Sequence, residues 1–185
     1  ITRPPVALKS SIYKARLNVS DMDRHVYQEF ALRVACHPSE TQARLMLRLL
    51  AFALHAGEGL EFGRGISTDN EPDLWQKDLT DNIQLWVDLG LPDESRIRKA
   101  CGRAEQVVLL AYGDRAAAVW WPKYQAALER FKNLRVIQIA DESMESLAQL
   151  ASMSMGLQCM IQDGVVNVSS DDSDCNPPIF NGAYS

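Results

Sequence analysis

The run from Ile83 to Leu89 most constrains the fold, because it has the pattern of a β-strand and contains an acid. Apolar residues occupy every second position from Ile83, and Asp88 falls on the opposite face. A run of this kind is typical of a core strand. Burying a carboxylate costs free energy unless it is paired or binds a metal. The segment therefore predicts a β-sheet with a paired or functional acid near the end of one strand.

The order of the other patterns predicts an α/β fold with a single mixed β-sheet flanked by helices and an N-terminal hairpin. Two strand-like runs, 8–19 and 24–35, flank the turn-forming residues 20–23 and predict this hairpin. A second hairpin is predicted across Asp163-Gly164, a pair typical of tight turns. The remaining predicted elements are strands at 60–64, 106–112, 134–139, 157–162 and 165–169, helices at 39–57, 93–103, 115–131 and 142–151, and a loop at 65–81.

The helix predicted from Ser39 carries charged residues along one side of a largely apolar surface. Ser39 and Gln42 fit a capping box that would start the helix. Glu40, Arg44 and Arg48 recur at every fourth position, so they share one stripe of the helix. Glu40 is therefore a candidate acid at the start of a buried helix.

Size and composition are those of a globular protein outside membranes. A length of 185 residues suits one domain with a core. No segment approaches the roughly 18 consecutive apolar residues of a membrane span. The four cysteines have neither metal-ligand spacing nor a C-x-x-C pair, so reduced thiols and a cytoplasmic location are expected.

The net charge of −5 argues against general nucleic-acid binding, but the charge is unevenly distributed. Seven acids and no lysine or arginine follow Arg135. Without those seven acids the net charge would be +2. The part of the chain that contains the candidate acids is therefore mildly basic.

Three acids around the strand 83–89 are candidates for a Mg²⁺ or Mn²⁺ site. Magnesium binds hard oxygen ligands and is usually held by one or two carboxylates plus substrate phosphate. Glu40, Asp73 and Asp88 are expected to converge at one end of the sheet, where repulsion would raise the pKa of at least one of them. Lys99, on the helix that follows the strand, is the candidate cation that stabilises developing charge.

Each of these residues also has a purely structural interpretation. Glu40 would interact favourably with a helix dipole, and Asp73 follows a proline and suits a turn. Asp88 could be solvated at the strand end. Lys99 lies opposite the apolar face of its helix, which favours a solvated lysine, although its long stem could curl back towards the acids.

Other residues do not support a different chemistry. The three histidines are scattered without metal-ligand spacing, and there is neither a Gly-x-Ser-x-Gly nucleophile motif nor a Gly-rich phosphate loop. Trp120-Trp121 is typical of packing in a core or an interface, and a structural or assembly role is a further interpretation of the chain.

Six segments carry longer motifs. They are residues 7–15, Asp21-Met22-Asp23-Arg24, His37-Pro38-Ser39-Glu40-Thr41, Glu71-Pro72-Asp73-Leu74-Trp75, Trp120-Trp121 and Gln162-Asp163-Gly164-Val165. With these motifs the chain resembles the bacterial YaeQ family, in order and without large gaps over residues 7–169. The resemblance implies one domain over 1–185, with 1–6 as a flexible leader and 171–185 as an irregular tail.

The resemblance also implies a variant of the PD-(D/E)xK nuclease fold with a restriction-endonuclease-like core. Glu40 then matches the helix acid, Asp73 the Pro-Asp acid and Asp88 the strand acid. The motif departs at Gly90, where a lysine would stand, and Lys99 is the candidate replacement. The implied function is a Mg²⁺-dependent nuclease-like activity on DNA or RNA. The alternative is a non-catalytic module that binds nucleic acid or a protein.

Overall fold

The computed structural model describes residues 9–64 and 70–172, and the backbone of residues 180–181. These residues form an α/β fold with two mixed five-stranded sheets and four helices, so the expectation of a single sheet was wrong. The expected leader at 1–6 and most of the expected tail lie outside the described residues. In chain order the elements are β1 (Ser11–Asp21), β2 (Val26–Cys36), α1 (Gln42–Leu54), β3 (Leu60–Phe62), β4 (Leu74–Lys77), β5 (Ile83–Leu89), α2 (Glu94–Arg103), β6 (Ala104–Tyr112), α3 (Asp114–Leu128), β7 (Leu134–Ile139), α4 (Asp141–Gln149), β8 (Ser154–Gln162), β9 (Val165–Ser170) and β10 (Phe180–Asn181).

Sheet 1 joins the two ends of the chain in the order β10-β9-β8-β1-β2. Both predicted hairpins are present, β1 with β2 and β8 with β9, and they are joined because β1 pairs in parallel with β8. Each hairpin has a local sequence signal, but the pairing between them has none, since it joins distant parts of the chain. That pairing is why there are two sheets rather than one.

Sheet 2 has the order β3-β4-β5-β6-β7, with β5, β6 and β7 parallel and β3 and β4 antiparallel. The predicted strand at 83–89 is confirmed as β5, which lies in the centre of this sheet. The strand β4 lies within 65–81, where a loop was expected. Its four residues are too short a run to show a period of two, and its pairing with β5 fixes it as a strand.

The helix α1 packs between the two sheets and is buried along most of its length. It begins at Gln42 rather than Ser39, because Thr41 is the N-cap and its Oγ1 accepts a hydrogen bond from Arg44 N at 3.1 Å. The predicted capping box is therefore wrong. The Ser39 hydroxyl instead contacts His37 Nδ1 at 2.6 Å, and Glu40 lies just before the helix rather than in its first turn.

The helices α2 and α3 cover the other face of sheet 2. Trp120 of α3 is buried there, and its Nε1 donates to Pro92 O at 2.7 Å, which agrees with the packing interpretation of this aromatic pair. None of the helices in the described part of the chain is long and apolar enough to cross a membrane.

Candidate functional site

The end of β5 brings two of the predicted acids side by side. Asp73 directly precedes β4, and Asp88 lies near the end of β5; the pairing of Leu74 with Val87 makes the two acids neighbours across the strands. Both are buried, at 6% and 5% exposure. Asp73 Oδ2 accepts a hydrogen bond from Leu89 N at 2.9 Å, which fixes its carboxylate against the end of β5.

Arginines of α1 connect Asp73 to Glu40. Arg44 donates through Nη2 to Asp73 Oδ1 at 2.8 Å and through Nη1 to Glu40 Oε1 at 3.1 Å. Arg48 holds Glu40 with two bonds, Nε to Oε1 at 2.9 Å and Nη2 to Oε2 at 2.7 Å. Arg48 and Glu40 are almost fully buried, so this is a desolvated bidentate ion pair of the stronger kind.

Asp88 is paired from the other face of the sheet. Arg96 of α2 donates through Nε to Asp88 Oδ2 at 2.8 Å and through Nη2 to Asp88 Oδ1 at 2.9 Å. The start of α2 positions Arg96, because the N-cap Asp93 accepts a hydrogen bond from Arg96 N at 2.9 Å. The same Nη2 also contacts Glu71 O at 3.1 Å and thereby ties α2 to the loop before β4.

The three acids are therefore held from opposite faces of sheet 2, by Arg44 and Arg48 on one face and by Arg96 on the other. Leu85 and Val87 of β5 belong to the apolar cluster around α1, whereas Trp86 between them packs with residues of α2. Glu40 and Asp73 are reached from the α1 side and Asp88 from the α2 side. Glu40 and Asp73 come together directly, because both bind Arg44. Asp88 lies beside Asp73 but is paired with a different arginine, Arg96.

The pKa of Asp73 is raised, as predicted for at least one of these acids, but for a partly different reason. Burial is the main cause, and the negative charge of Asp88 contributes the smallest part. The charge of Arg44 and the hydrogen bonds from Arg44 and Leu89 N act in the opposite direction. Burial, more than repulsion between carboxylates, therefore favours the protonated form.

Lys99 contacts neither Asp73 nor Asp88. It is exposed on α2, and its Nζ donates to Asn70 Oδ1 at 2.5 Å. The cation that reaches Asp88 is Arg96, which lies almost one helical turn earlier. The outward direction of Lys99 agrees with its position opposite the apolar face of the helix.

The structure supplies a reason for the glycine at position 90. Gly90 has φ of 107°, in the region that favours glycine, and its N–H donates to Leu110 O at 2.9 Å. A lysine at this position would be strained whatever space surrounded it. The backbone at the end of β5 therefore disfavours a lysine two residues after Asp88, the position at which the PD-(D/E)xK motif has one.

The acids as arranged do not fit a bound magnesium ion. Three carboxylates are matched by three guanidinium groups, and each of the six carboxylate oxygens accepts from an arginine or a backbone N–H. Within the residues that the structure describes, no three His, Cys, Asp or Glu side chains are grouped so that they could hold a metal ion. A divalent cation would have to displace arginines, so the metal site stays a prediction.

Sequence reasoning identified the acids but did not assign their ion-pair partners, Arg44, Arg48 and Arg96. A signal was present for two of them, since Arg44 and Arg48 share the stripe with Glu40. Arg96 follows its N-cap Asp93 by three residues, but the contact with Asp88 depends on how α2 packs against β5, which no local pattern encodes.

Comparison with known proteins agrees with the motifs. The family model "YaeQ protein" matches residues 6–178. The YaeQ protein of Escherichia coli (strain K12) is 47% identical over 166 residues, which cover 90% of this chain and 92% of that protein. That of Salmonella typhi is 48% identical over 164 residues, which cover 89% and 91%.

Two crystal structures have the same fold. YaeQ from Xanthomonas axonopodis pv. citri superposes with a TM-score of 0.87 at 47% identity, covering 92% of this chain and 97% of that one. YaeQ from Pseudomonas syringae superposes with a TM-score of 0.89 at 36% identity, covering 95% and 96%. The chain therefore belongs to the YaeQ family.

Proposed function

We propose that this protein binds nucleic acid without cleaving it, as a non-catalytic variant of the PD-(D/E)xK nuclease fold. The observation that carries the proposal is a contrast between neighbouring charges. The acids at the end of β5 are neutralised by arginines, whereas cations on the adjacent surface of α2 and β4 have no acidic partner among the described residues. Paired acids do not attract a divalent cation, and unpaired cations attract phosphate.

The unpaired cations form a basic strip, which we define as Lys77, Lys99 and Arg103. Lys99 and Arg103 lie one helical turn apart on α2, and both donate to Asn70, at Oδ1 and O. Arg103 lies over the ring of Trp86, with 5.2 Å from Cζ to the centroid, and Lys77 Nζ lies 3.9 Å from the centroid of Trp75.

The two tryptophans make the strip continuous. Their ring centroids are 6.3 Å apart in an edge-to-face arrangement, so Lys77 and Arg103 are joined through them. Trp86 is buried, whereas Trp75 is only half-buried and could offer part of its ring to an unstacked base. Cations interleaved with an accessible aromatic are typical of surfaces that bind single strands.

Acids near the basic strip limit how tightly it can bind nucleic acid. Asp78 follows Lys77 directly, and hydrogen bonds from Thr80 and Asn82 lower its pKa to about 2, so it is ionised at neutral pH. The net charge of the whole chain is −5. Binding is therefore expected to be moderate and strongly salt-dependent rather than tight and general.

The test measures binding of labelled single-stranded and double-stranded DNA and RNA over a range of salt concentrations. A variant with Lys77→Gln, Lys99→Gln and Arg103→Gln should bind more weakly, and its salt slope should fall by about 1 for each phosphate that is no longer neutralised. The matched control carries Arg115→Gln, Lys123→Gln and Arg130→Gln, three exposed cations on or just after α3. Equal weakening in both variants, or no binding by the natural sequence, would contradict the proposal.

Metal-dependent phosphodiester cleavage is the competing function, favoured by the position of Asp73 and Asp88 as buried neighbours at the end of a sheet. It requires arginines to leave these acids. The same nucleic acids, incubated with Mg²⁺ or Mn²⁺, distinguish the two. Cleavage that Asp88→Asn abolishes in a folded protein would establish the nuclease, and its absence over a broad panel would support binding alone.

A further inference from the structure

A second polar surface lies at the opposite end of sheet 2, where β5, β6 and β7 begin. A pocket of about 650 Å³ is bounded there by these strands, the end of α1 and the turn between β1 and β2. That volume lies within the range of small-molecule sites. We call it the amino-end pocket; its ionisable lining residues are Arg24, His55, Glu105, Lys132 and Arg135.

Arg24 is held firmly at one side of this pocket. Its Nε donates to Asp21 Oδ2 at 2.6 Å, while Nη1 and Nη2 donate to Ala56 O at 3.2 Å and Ala53 O at 3.4 Å. Ala53 lies in the last turn of α1 and Ala56 directly follows the C-cap His55. The negative end of the helix dipole would otherwise repel an anion here. Arg24 therefore neutralises that end of the helix at the edge of the pocket.

Two further cations have no partner among the described residues. Lys132 and Arg135 are exposed at the start of β7, and their side chains make neither a hydrogen bond nor an ion pair with any described group. The opposing acids are Glu105, which lines the pocket, and Asp21 behind Arg24. Three cations thus face two acids, and the excess positive charge lies at Lys132 and Arg135.

His55 lies among these cations and has one ring nitrogen without a partner in the described part of the chain. Its Nδ1 is 2.9 Å from Ala51 O, and since a carbonyl only accepts, Nδ1 carries the proton and Nε2 is an acceptor. Burial lowers the pKa of His55, and the charges of Arg24 and Arg135 lower it further. An anion bound between these arginines would offset their charges and raise the pKa of His55.

We propose that the amino-end pocket binds a small molecule that carries a phosphate group. Arg135 and Lys132 pair with the phosphate oxygens, Arg24 supplies a fixed positive charge, and His55 gains a proton and donates from Nε2. Positive charge and donors from three separate elements suit a multiply charged group with several oxygens better than a single carboxylate, which offers only two. The site is distant in the sheet from the acids of β5 and does not depend on the basic strip.

Binding is tested with inorganic phosphate and with glycerol phosphate, a simple phosphate monoester, by calorimetry and thermal unfolding. Sodium chloride at equal ionic strength is the reference. Both ligands should raise the melting temperature saturably above that reference, because a ligand that binds the folded state stabilises it. Stabilisation by phosphate alone would restrict the site to the free ion and overturn the small-molecule proposal; stabilisation no greater than with chloride would overturn the site itself.

The location is tested with paired variants. Lys132→Gln with Arg135→Gln should weaken the affinity roughly tenfold or more, since charge-assisted hydrogen bonds are removed. Lys123→Gln with Arg130→Gln removes two exposed cations that do not line the pocket and should leave the affinity unchanged. Equal affinity in both pairs would place the ligand elsewhere.

A second readout is the titration of His55 by NMR. Saturation with the phosphate monoester should raise its pKa, and the Lys132→Gln, Arg135→Gln variant should show a smaller increase. An unchanged His55 pKa under saturation would remove the imidazole from the site. The variant Lys77→Gln, Lys99→Gln, Arg103→Gln should show the same increase in the pKa of His55 as the natural sequence. This result would separate phosphate binding in the pocket from nucleic-acid binding at the basic strip.

Discussion

The two ends of sheet 2 differ in whether their charged side chains are paired. At the end of β5, the side chains of Glu40, Asp73 and Asp88 are buried and each is paired with an arginine. At the amino end, the side chains of Lys132 and Arg135 are exposed, line a pocket and have no hydrogen-bond or ion-pair partner among the described residues. Desolvating a charge is costly, so buried charges are paired and become part of the structure. Exposed charges need no such pairing and stay free for a ligand.

Each end also contains a group whose charged form is disfavoured by burial, and the two respond to pH in opposite directions. The pKa of Asp73 is raised, so its contribution to stability is present at low pH and is lost as pH rises through the raised value. The pKa of His55 is lowered, so its contribution is present at high pH and is lost as pH falls. Variants can therefore test the two ends separately.

The largest expected effect is at the buried ion pair of the carboxyl end. Arg48→Met would leave the buried Glu40 side chain with Arg44 as its one arginine partner among the described residues, and removing one member of a buried pair costs about 3–5 kcal/mol. We expect the free energy of unfolding in urea to fall by about 3 kcal/mol, because Arg44 compensates in part. The double variant Arg48→Met, Glu40→Gln should recover much of this loss.

Replacing an arginine by methionine at the amino end of sheet 2 should have a much smaller effect. Arg135→Met removes an exposed arginine without a described partner, so the free energy of unfolding should change by less than about 0.5 kcal/mol. If Arg48→Met cost no more than Arg135→Met, the distinction between structural and available charge would be wrong.

These contrasts separate what the sequence could predict from what it could not. The period of β5 and the helical pattern of α2 are local signals, and both elements were predicted correctly. The strand β4 was missed because only its pairing with β5 defines it, and the single sheet was wrong because the β1–β8 pairing is not local. Asp88 was visible as an acid within an apolar strand pattern, whereas the contact with its partner Arg96 depends on how α2 packs against β5.

The ion pair of Asp88 should stabilise the folded state less than that of Glu40, because the Arg96 side chain is 28% exposed to solvent. Arg96→Ala would leave Asp88 accepting from no arginine, at a cost of about 1–3 kcal/mol. Urea unfolding of Arg96→Ala, Asp88→Asn and the double variant gives the coupling between the two residues. A coupling near zero would show that water replaces the arginine, and would make this acid accessible to a cation.

The pH dependence sharpens the comparison further. The unfolded chain takes up a proton at His55 near its ordinary pKa of 6.5, whereas the folded chain does so only at lower pH. The natural sequence should therefore lose stability as pH falls below about 6.5. His55→Gln keeps a donor for Ala51 O but does not titrate, so its melting temperature should fall less over the same range. Parallel curves for the two proteins would contradict this assignment.

The smallest effect on stability is expected at Lys99, and this variant separates a role of Lys99 in nucleic-acid binding from a catalytic role. Lys99 is exposed and its contact with Asn70 involves no acid, so Lys99→Ala should change the free energy of unfolding by less than about 0.5 kcal/mol. Its charge belongs to the basic strip, so the salt slope of nucleic-acid binding should fall by about 1. Arg96, nearly one turn earlier on α2, should show the reverse, a loss of stability with little change in that slope. If Lys99→Ala left the slope unchanged but abolished a metal-dependent cleavage, Lys99 would be a catalytic cation, and the arginine pairing of the acids would describe a resting state of a nuclease.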